Sequence, residues 1–391
     1  MTDITEKSIE NMDKEQLRGL IDEIDDRLVG LFASRMSVCA QIARFKKEND
    51  LPVMDMKRER EKLKAVVASS PVEIREYSSL LYSLMFELSR SYQNSLIGKG
   101  SGLAKRIEEA VEKTPKLFPE RSSVACQGVE GAYAQIACDK LFKSANVMYF
   151  SSFESVFSAV DKGFCRYGVV PLENSTAGTV NTVYGLMTKY KFSIVRSIRL
   201  KVDHNLLAKP GAKLEDIREI YSHQQAISQC AGFLSGLKGV KIIPCENTAV
   251  ASKMVAESNR TDIAALSSRE CMKLYGLSCI SQSVQDKDNN YTRFICISKE
   301  LEIYPGADRT SLMVVLEDKP GSLYKLLSRL YALGINLSKL ESRPIPEREF
   351  EFMFYFDLNT PVYSPGFLQL MSELGDICEE FSYLGSYSEV I

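Results

Sequence analysis

The chain has only two histidines, His204 and His223, in 391 residues. A metal centre built from several imidazoles is therefore excluded. Its ten cysteines form no C-x-x-C pair. Cys39, Cys138, Cys165 and Cys296 each stand alone among apolar neighbours, so they read as reduced, packed thiols, not as a disulfide framework or a zinc site. No G-x-G-x-x-G run and no P-loop occur, and Gly128-Val129-Glu130-Gly131 is too short for a dinucleotide fingerprint. No apolar run approaches the ~18 residues of a membrane span. The polar start, Met1 to Asp13, has no signal-peptide core. A net charge of -2 gives no bulk attraction to nucleic acid or to an anionic membrane. The thiols read as those of a cytosolic protein, and no dinucleotide, P-loop or multi-histidine metal signature calls for a cofactor.

What is present is an ordinary globular balance of 45% hydrophobic and 26% charged residues, with length for about two to four domains. From Lys14 to Asn49 there is no proline, and Leu17, Ile21, Ile24, Leu28, Leu31, Val38 and Ile42 keep a helical period. One helix of about 50 Å follows. A domain of ~100 residues is too small to bury such a stripe, so an intertwined helical dimer is expected. Leu51-Pro52 breaks the helix. Two more helices are expected over 55–68 and 72–96. Arg35 and Lys46 lie about three turns apart and share a face, while Arg18 projects roughly 100° away. A site using all three needs two copies of the helix. Asp55, Arg58 and Glu59 face together, as do Ser89 and Gln93. A solvated charged face accounts for that pattern as well.

The set Arg18, Arg35, Lys46, Asp55, Arg58, Glu59, Ser89 and Gln93 resembles the all-helical chorismate mutases, over residues 10–97. The resemblance implies that Arg35, Arg58 and the Arg18 of a second copy clamp the two carboxylates of chorismate, work that suits arginine's planar fork. Lys46 and Gln93 would donate to the ether oxygen as its bond breaks. Glu59 would hold the ring hydroxyl, with Asp55 and Ser89 completing the substrate-binding set. The rearrangement to prephenate is pericyclic. Holding the compact conformer and stabilising charge on the oxygen is then enough.

Gly98-Lys99-Gly100-Ser101-Gly102 reads as a flexible break within a linker over 98–120. Residues 121–300 alternate strand and helix signals, an α/β pattern expected to make two lobes around a cleft, like the periplasmic binding proteins. Tyr167–Val170 reads as a strand that Pro171 ends for want of an N–H. Glu173, Asn174, Ser175 and Thr176 would then occupy a loop before a helix over 179–187, where open α/β sheets bind ligands. A capped turn is the plainer explanation of that stretch alone. Two more polar runs stand at strand ends: Tyr221 to Ala226 followed by Gln229 and Cys230, and Asn290-Tyr291-Thr292-Arg293-Phe294.

The three runs in this order resemble prephenate dehydratase across the middle domain. That implies loss of the ring carboxylate as carbon dioxide and of the ring hydroxyl as water, giving phenylpyruvate. Thr292 would face the departing hydroxyl. Glu173 would supply the proton if burial raises its pKa. Asn174, Ser175, Thr176, Gln229 and Phe294 would bind and orient the substrate. Arg293 would anchor the side-chain carboxylate or brace the lobe. His223 would be an acid or a structural hydrogen bonder, and His204 structural.

Residues 306–391 read β-α-β-β-α-β, the ferredoxin-like order. Phe350, Phe352, Phe354, Phe356 and Leu358 alternate with Glu351, Met353, Tyr355 and Asp357, so one face of that strand is expected to be buried. The segment resembles the ACT domains. Glu341-Ser342-Arg343-Pro344 matches the phenylalanine-binding motif of dehydratase regulatory domains in full. Gly321-Ser322-Leu323-Tyr324 matches its counterpart only at Gly321 and Leu323, which bears on affinity or selectivity. Inhibition by L-phenylalanine across a dimer interface follows, and deletion after Glu302 is expected to spare catalysis.

The expected architecture is multidomain. An all-α, three-helix intertwined mutase domain (1–97) precedes a two-lobed α/β dehydratase domain (121–300) and an α+β, ferredoxin-like ACT domain (306–391). It would act as a homodimer or tetramer. A non-catalytic two-lobed binding protein for an aromatic acid is the competing reading. The donor pairs Lys46/Gln93 and Thr292/Glu173 separate the two.

Overall fold

The computed structural model describes residues 12–97, 102–345, 348 and 352–390. The glycine-rich run at 98–101 and the first two residues of the strand expected from Phe350 lie outside these. No described helix is long and apolar enough to cross a membrane.

The chain opens with α1 (Lys14–Glu48), α2 (Met56–Ser69), α3 (Arg75–Ile97) and α4 (Gly102–Lys113). A capping box starts α1: Asp13 accepts from the Gln16 N–H while Gln16 accepts from the Asp13 N–H. Glu15 in its first turn and Lys46 and Lys47 in its last suit the helix dipole. Asp55 caps α2 by accepting from the Arg58 N–H at 3.0 Å. Along α1 only Cys39 and Ala43 are buried. Ile21, Leu28, Leu31, Val38 and Phe45 remain more than half exposed. The apolar stripe is real, and a single chain does not cover it.

The two-lobed part follows as β1 (Arg121–Gln127), α5 (Tyr133–Leu141), β2 (Ser144–Phe150), α6 (Phe153–Asp161), β3 (Tyr167–Asn174), β4 (Gly178–Thr179), α7 (Asn181–Tyr190) and β5 (Ser193–Lys201). Next come β6 (Asn205–Ala208), β7 (Glu219–His223), α8 (Gln224–Gln229), α9 (Ala231–Ser235), β8 (Lys241–Cys245), α10 (Thr248–Glu257), β9 (Ile263–Ser267), α11 (Arg269–Leu274), β10 (Ser278–Ser281) and β11 (Tyr291–Ser298). The chain ends with β12 (Arg309–Val315), α12 (Ser322–Ala332), β13 (Asn336–Pro344), β14 (Phe352–Asn359), α13 (Pro365–Ile377), β15 (Glu380–Tyr387) and β16 (Glu389–Val390).

Two compact units result. The first contains the chain up to Ala104 with Leu316–Ile335 and Pro365–Glu379; the second contains Lys105–Val315, Asn336–Ser364 and the chain from Glu380. The second unit carries three sheets, ordered β16-β5-β11-β3-β1-β2 with β4 on β3, β10-β6-β9-β7-β8, and β13-β14-β12-β15. The third is antiparallel throughout, and with its chain order it gives the ferredoxin-like topology. The second unit starts at Lys105 and not near Arg121. Ile107 and Ala110 of α4 are buried, and Thr114 accepts from the Ile303 N–H at 3.0 Å.

Three expectations are corrected. Pro171 does not end β3, which runs on to Asn174. The pairing with β11 skips one residue there: Phe294 faces Pro171, Arg293 faces Glu173, and Leu172 is the extra residue. This bulge absorbs the missing proline donor. Glu173 and Asn174 are consequently strand residues with opposite orientations. The helix after them begins at Asn181 and not at Thr179, because Gly178 and Thr179 pair back onto Asn174 and Glu173. Finally, β14 is buried on both faces. Phe356 and Leu358 lie on one, while Met353, Tyr355 and Asp357 are buried on the other.

The reason is a shared core. Met313, Val315, Met353 and Tyr355 of the third sheet pack with Val170, Leu172, Ile295 and Ile297 of the first. Tyr184 and Tyr355 meet edge to face at 4.0 Å between ring centroids. Deletion after Glu302 would strip this core and remove β16 from β5.

Candidate active sites

A cleft of about 500 Å³ in the second unit is lined from both of its first two sheets: Asn174, Thr292 and Phe294 from one, His204, His223 and Gln229 from or beside the other. Thr292 and Asn174 are cross-strand partners, so both side chains point the same way. Asn174 Oδ1 accepts from the Thr176 N–H at 3.0 Å, the Ala177 N–H at 2.8 Å and Thr176 Oγ1 at 2.7 Å. Two backbone donors fix the orientation of that amide. Its Nδ2 therefore donates to Thr292 Oγ1 at 2.9 Å and to Asn290 Oδ1 at 2.8 Å. Asn290 Nδ2 donates to Gln229 Oε1 at 2.9 Å, and Gln229 Nε2 donates to Thr176 Oγ1 at 2.8 Å. Three segments distant in sequence are thus tied into one ring of hydrogen bonds.

The ring has a consequence at Thr292. Its oxygen already accepts from Asn174, so its own proton is free to be given to a ligand in the cleft. His204 completes the ring from behind, with Nε2 2.9 Å from Gln229 Oε1. Burial lowers its pKa, and Oε1 is acceptor-only, so neutral His204 carries its proton on Nε2. His223 caps α8, with Nδ1 accepting from the Gln225 N–H at 3.3 Å. The proton of neutral His223 then sits on Nε2, which has no protein partner among the described residues.

Glu173, expected beside Thr292, is not in the cleft, and Arg293 has the geometry of the bracing alternative. Glu173 and Arg293 lie opposite each other on the other face of β3 and β11. Arg293 Nε is 3.0 Å from Glu173 Oε1, and Nη2 is 2.7 Å from Asp357 Oδ2. Burial opposes the Arg293 charge, but Tyr387, Asp357 and Glu173 outweigh it and raise its pKa. Lys339 of β13 also pairs with Glu173 and reaches Tyr184 Oη at 3.0 Å. Arg293 is a brace, and Glu173 is not the neighbour of Thr292. Ser175 is also diverted: its hydroxyl donates to Asn289 O at 2.6 Å and accepts from the Tyr291 N–H at 2.9 Å. Asn290 was visible in the Asn-x-Thr-Arg-Phe run, but only the fold shows its side chain joining three others.

In the first unit, Arg35 of α1 donates to Ser89 Oγ on α3. Lys46 Nζ donates to Val53 O. Gln93 is buried, and its Oε1 has no protein partner among the described residues, an unmet group of the kind a ligand satisfies. Glu59 is paired with Arg90 of α3. Asp55 serves as the α2 cap, Arg58 is exposed, and exposed Arg18 pairs with Glu15 at 2.8 Å. One chain thus joins Arg35 of α1 to Ser89 of α3, one turn before Gln93, while Arg18 is engaged with Glu15.

The chain matches chorismate mutase type II over residues 17–94, prephenate dehydratase over 124–302 and the ACT domain over 310–361. It is 30% identical to the bifunctional chorismate mutase/prephenate dehydratase of Buchnera aphidicola subsp. Acyrthosiphon pisum, with 95% of each chain covered. It belongs to the bifunctional chorismate mutase/prephenate dehydratase family. Other similarities surround this one. Arogenate dehydratase/prephenate dehydratase 2 of Arabidopsis thaliana is 34% identical over 79% of this chain and 88% of its own. The prephenate dehydratase of Arthrobacter aurescens, solved in complex with L-Phe, is 26% identical with a TM-score of 0.62 over 68% of this chain and 89% of that one. A solved protein described as a novel type of quorum quenching acylase is 30% identical, also at TM-score 0.62, over 68% of this chain and 98% of that one.

The two segments expected to bind an effector fall in different compact units of this chain. Gly321, at φ +87°, precedes α12, whose first residues are Ser322 and Leu323. A side chain is strained at that φ, which explains glycine there. Glu341, Ser342, Arg343 and Pro344 end β13. Glu341 Oε2 accepts from Thr179 Oγ1 at 2.6 Å, beside the cleft. The segment expected to bind the effector therefore touches β4, the short strand that pairs with Glu173 and Asn174.

Proposed function

We propose that the helical arm rearranges chorismate to prephenate and that the two-lobed cleft converts prephenate to phenylpyruvate, with L-phenylalanine as feedback inhibitor. The ring of hydrogen bonds among Asn174, Thr176, Gln229, Asn290 and Thr292 carries this reading. It presents a hydroxyl proton to a cleft of substrate size while every amide in the ring is held in place. In the dehydratase step Thr292 donates to the departing ring hydroxyl, the net proton comes from water, and His223 Nε2 donates a further hydrogen bond. Asn174, Thr176 and Gln229 orient the ring. The departing carboxylate is left without a strong cation, since pairing it would slow its loss. Arg293, already paired twice, fits that requirement. The cleft's histidines face Gln229 and Gln225, not a serine or cysteine, so acylase chemistry is the weaker reading.

In the mutase step Arg35 and Arg58, with Arg18 of a second copy, hold the carboxylates. Lys46 and Gln93 meet the ether oxygen, and Glu59 takes the ring hydroxyl. The uncovered stripe of α1 supports a homodimer as the working form. Ten free thiols support the reducing cytosol as its place. The direct test follows both products when the enzyme is given chorismate at neutral pH. Prephenate that rises and then falls as phenylpyruvate appears supports the reading, and chorismate bound without turnover overturns it.

Effector control is assigned to the ion cluster behind the catalytic strands. Lys339 and Glu341 of β13 hold Glu173 and Thr179, whose neighbours in sequence or pairing are Asn174 and Gly178. Lys339→Met is expected to raise the phenylalanine concentration for half-inhibition about tenfold, within the usual size of allosteric coupling. Its dehydratase rate without effector should stay within about threefold of the parent. Parental sensitivity in this variant would place the coupling elsewhere.

A further inference from the structure

The helices of the first unit hold an ion network that starts at Glu59 and continues through residues given no part in either reaction. Arg90 lies on α3 between Ser89 and Ser91, and its side chain is 14% exposed. Its Nη1 reaches both carboxylate oxygens of Glu59, and its Nη2 reaches Glu87. The other oxygen of Glu87 accepts from Arg329 Nη2 of α12 at 3.4 Å. Arg329 Nε lies 3.2 Å from Glu373 Oε2 on α13, the two side chains being 4% and 1% exposed. Glu373 returns to α3, because its Oε1 accepts from Ser91 Oγ at 3.3 Å. Five charges thus run without a gap from the carboxylate proposed to hold chorismate to the helix that opens with Gly321 and Ser322.

Burial makes this chain act as a unit. Withdrawing Arg90, Glu87 or Arg329 removes a counter-charge from the groups on either side of it. A shift of α12 that moves Arg329 must be answered at Glu87, and Glu87 and Glu59 share a single guanidinium. A cavity of about 540 Å³ borders Glu59, Glu87, Arg90, Arg329 and Glu373, so the side chains have room to exchange partners.

We propose that Arg90 is a positioning residue for the mutase reaction, and that the chain Glu59–Arg90–Glu87–Arg329–Glu373 makes the Glu59 carboxylate answer to the state of helix α12. Arg90 leaves Glu59 lone pairs free for a hydroxyl, since a carboxylate has about four acceptor sites. It fixes where they point. The consequence is that the regulatory helices govern the first reaction as well as the second, by a route separate from the Lys339–Glu173 cluster. This rests on the mutase reading of the helical arm.

The test uses the full-length enzyme. Arg90→Met should raise the KM for chorismate about tenfold, the size of one lost hydrogen bond to a charged group, with a smaller change in kcat. It should also remove the effect of phenylalanine on the mutase. Arg90→Lys should recover part of the KM. Glu87→Gln leaves Arg90 on Glu59, so KM should stay within about twofold while the mutase no longer answers phenylalanine. In all three the dehydratase rate and its inhibition should match the parent, which also reports that the chain has folded. A parental KM in Arg90→Met, or a full mutase response in Glu87→Gln, would refute the relay. A parent that does not turn over chorismate at all would overturn the reading of the arm, and the relay with it.

Discussion

Thr292→Ala should lower phenylpyruvate formation by about two orders of magnitude or more, the scale of one positioned proton donor, and leave chorismate rearrangement at the parental rate. The hydroxyl stands in the cleft's hydrogen-bonded ring with its proton still to be given. Without it the leaving oxygen has no donor aimed from β11. The fold should survive, because Asn174 Nδ2 keeps Asn290 Oδ1 at 2.8 Å and Asn174 Oδ1 keeps its two backbone donors. Thr292→Ser, which retains the hydroxyl, should recover most of the loss. Steady-state rates on prephenate at neutral pH decide the matter, and near-parental turnover by the alanine variant would remove Thr292 from the chemistry.

The mirror result is expected in the other domain. Lys46→Ala should cost the mutase about two to three orders of magnitude, the usual toll of removing one preorganised donor from developing charge, with dehydratase rates unchanged. Lys46 sits in the last turn of α1, held through Val53 O. The exposed apolar side chains that would pair two copies of α1 run from Leu17 to Phe45. The variant should therefore sediment as the parent does. Loss of the dimer together with activity would show that Lys46 acts through assembly and not through the ether oxygen.

The helices of the arm were legible because nothing beyond the helical period and Leu51-Pro52 was needed to place them. The polar runs of the cleft were legible as residues but not as directions. Glu173 and Asn174 adjoin in sequence, as do Thr292 and Arg293, and proximity suggested one site. Strand alternation sends Glu173 and Arg293 to the opposite face. That could have been read from period two had β3 been carried through Pro171. What hid it was a non-local fact, the bulge that β11 permits at Leu172. The second buried face of β14 was hidden for the same kind of reason. Met353, Tyr355 and Asp357 look like the solvent side of an alternating strand until another sheet covers them. Strand β10, four residues with no alternation of its own, pairs among the described strands with β6 alone.

The claim beneath all of this is that one chain carries two independent active sites working in sequence. Mixing the Lys46→Ala and Thr292→Ala enzymes tests it most directly. Given chorismate at neutral pH, neither alone should form phenylpyruvate above background, and the mixture should form it through free prephenate at a rate set by both concentrations. A mixture as inactive as its parts, or either variant active alone, would contradict the account.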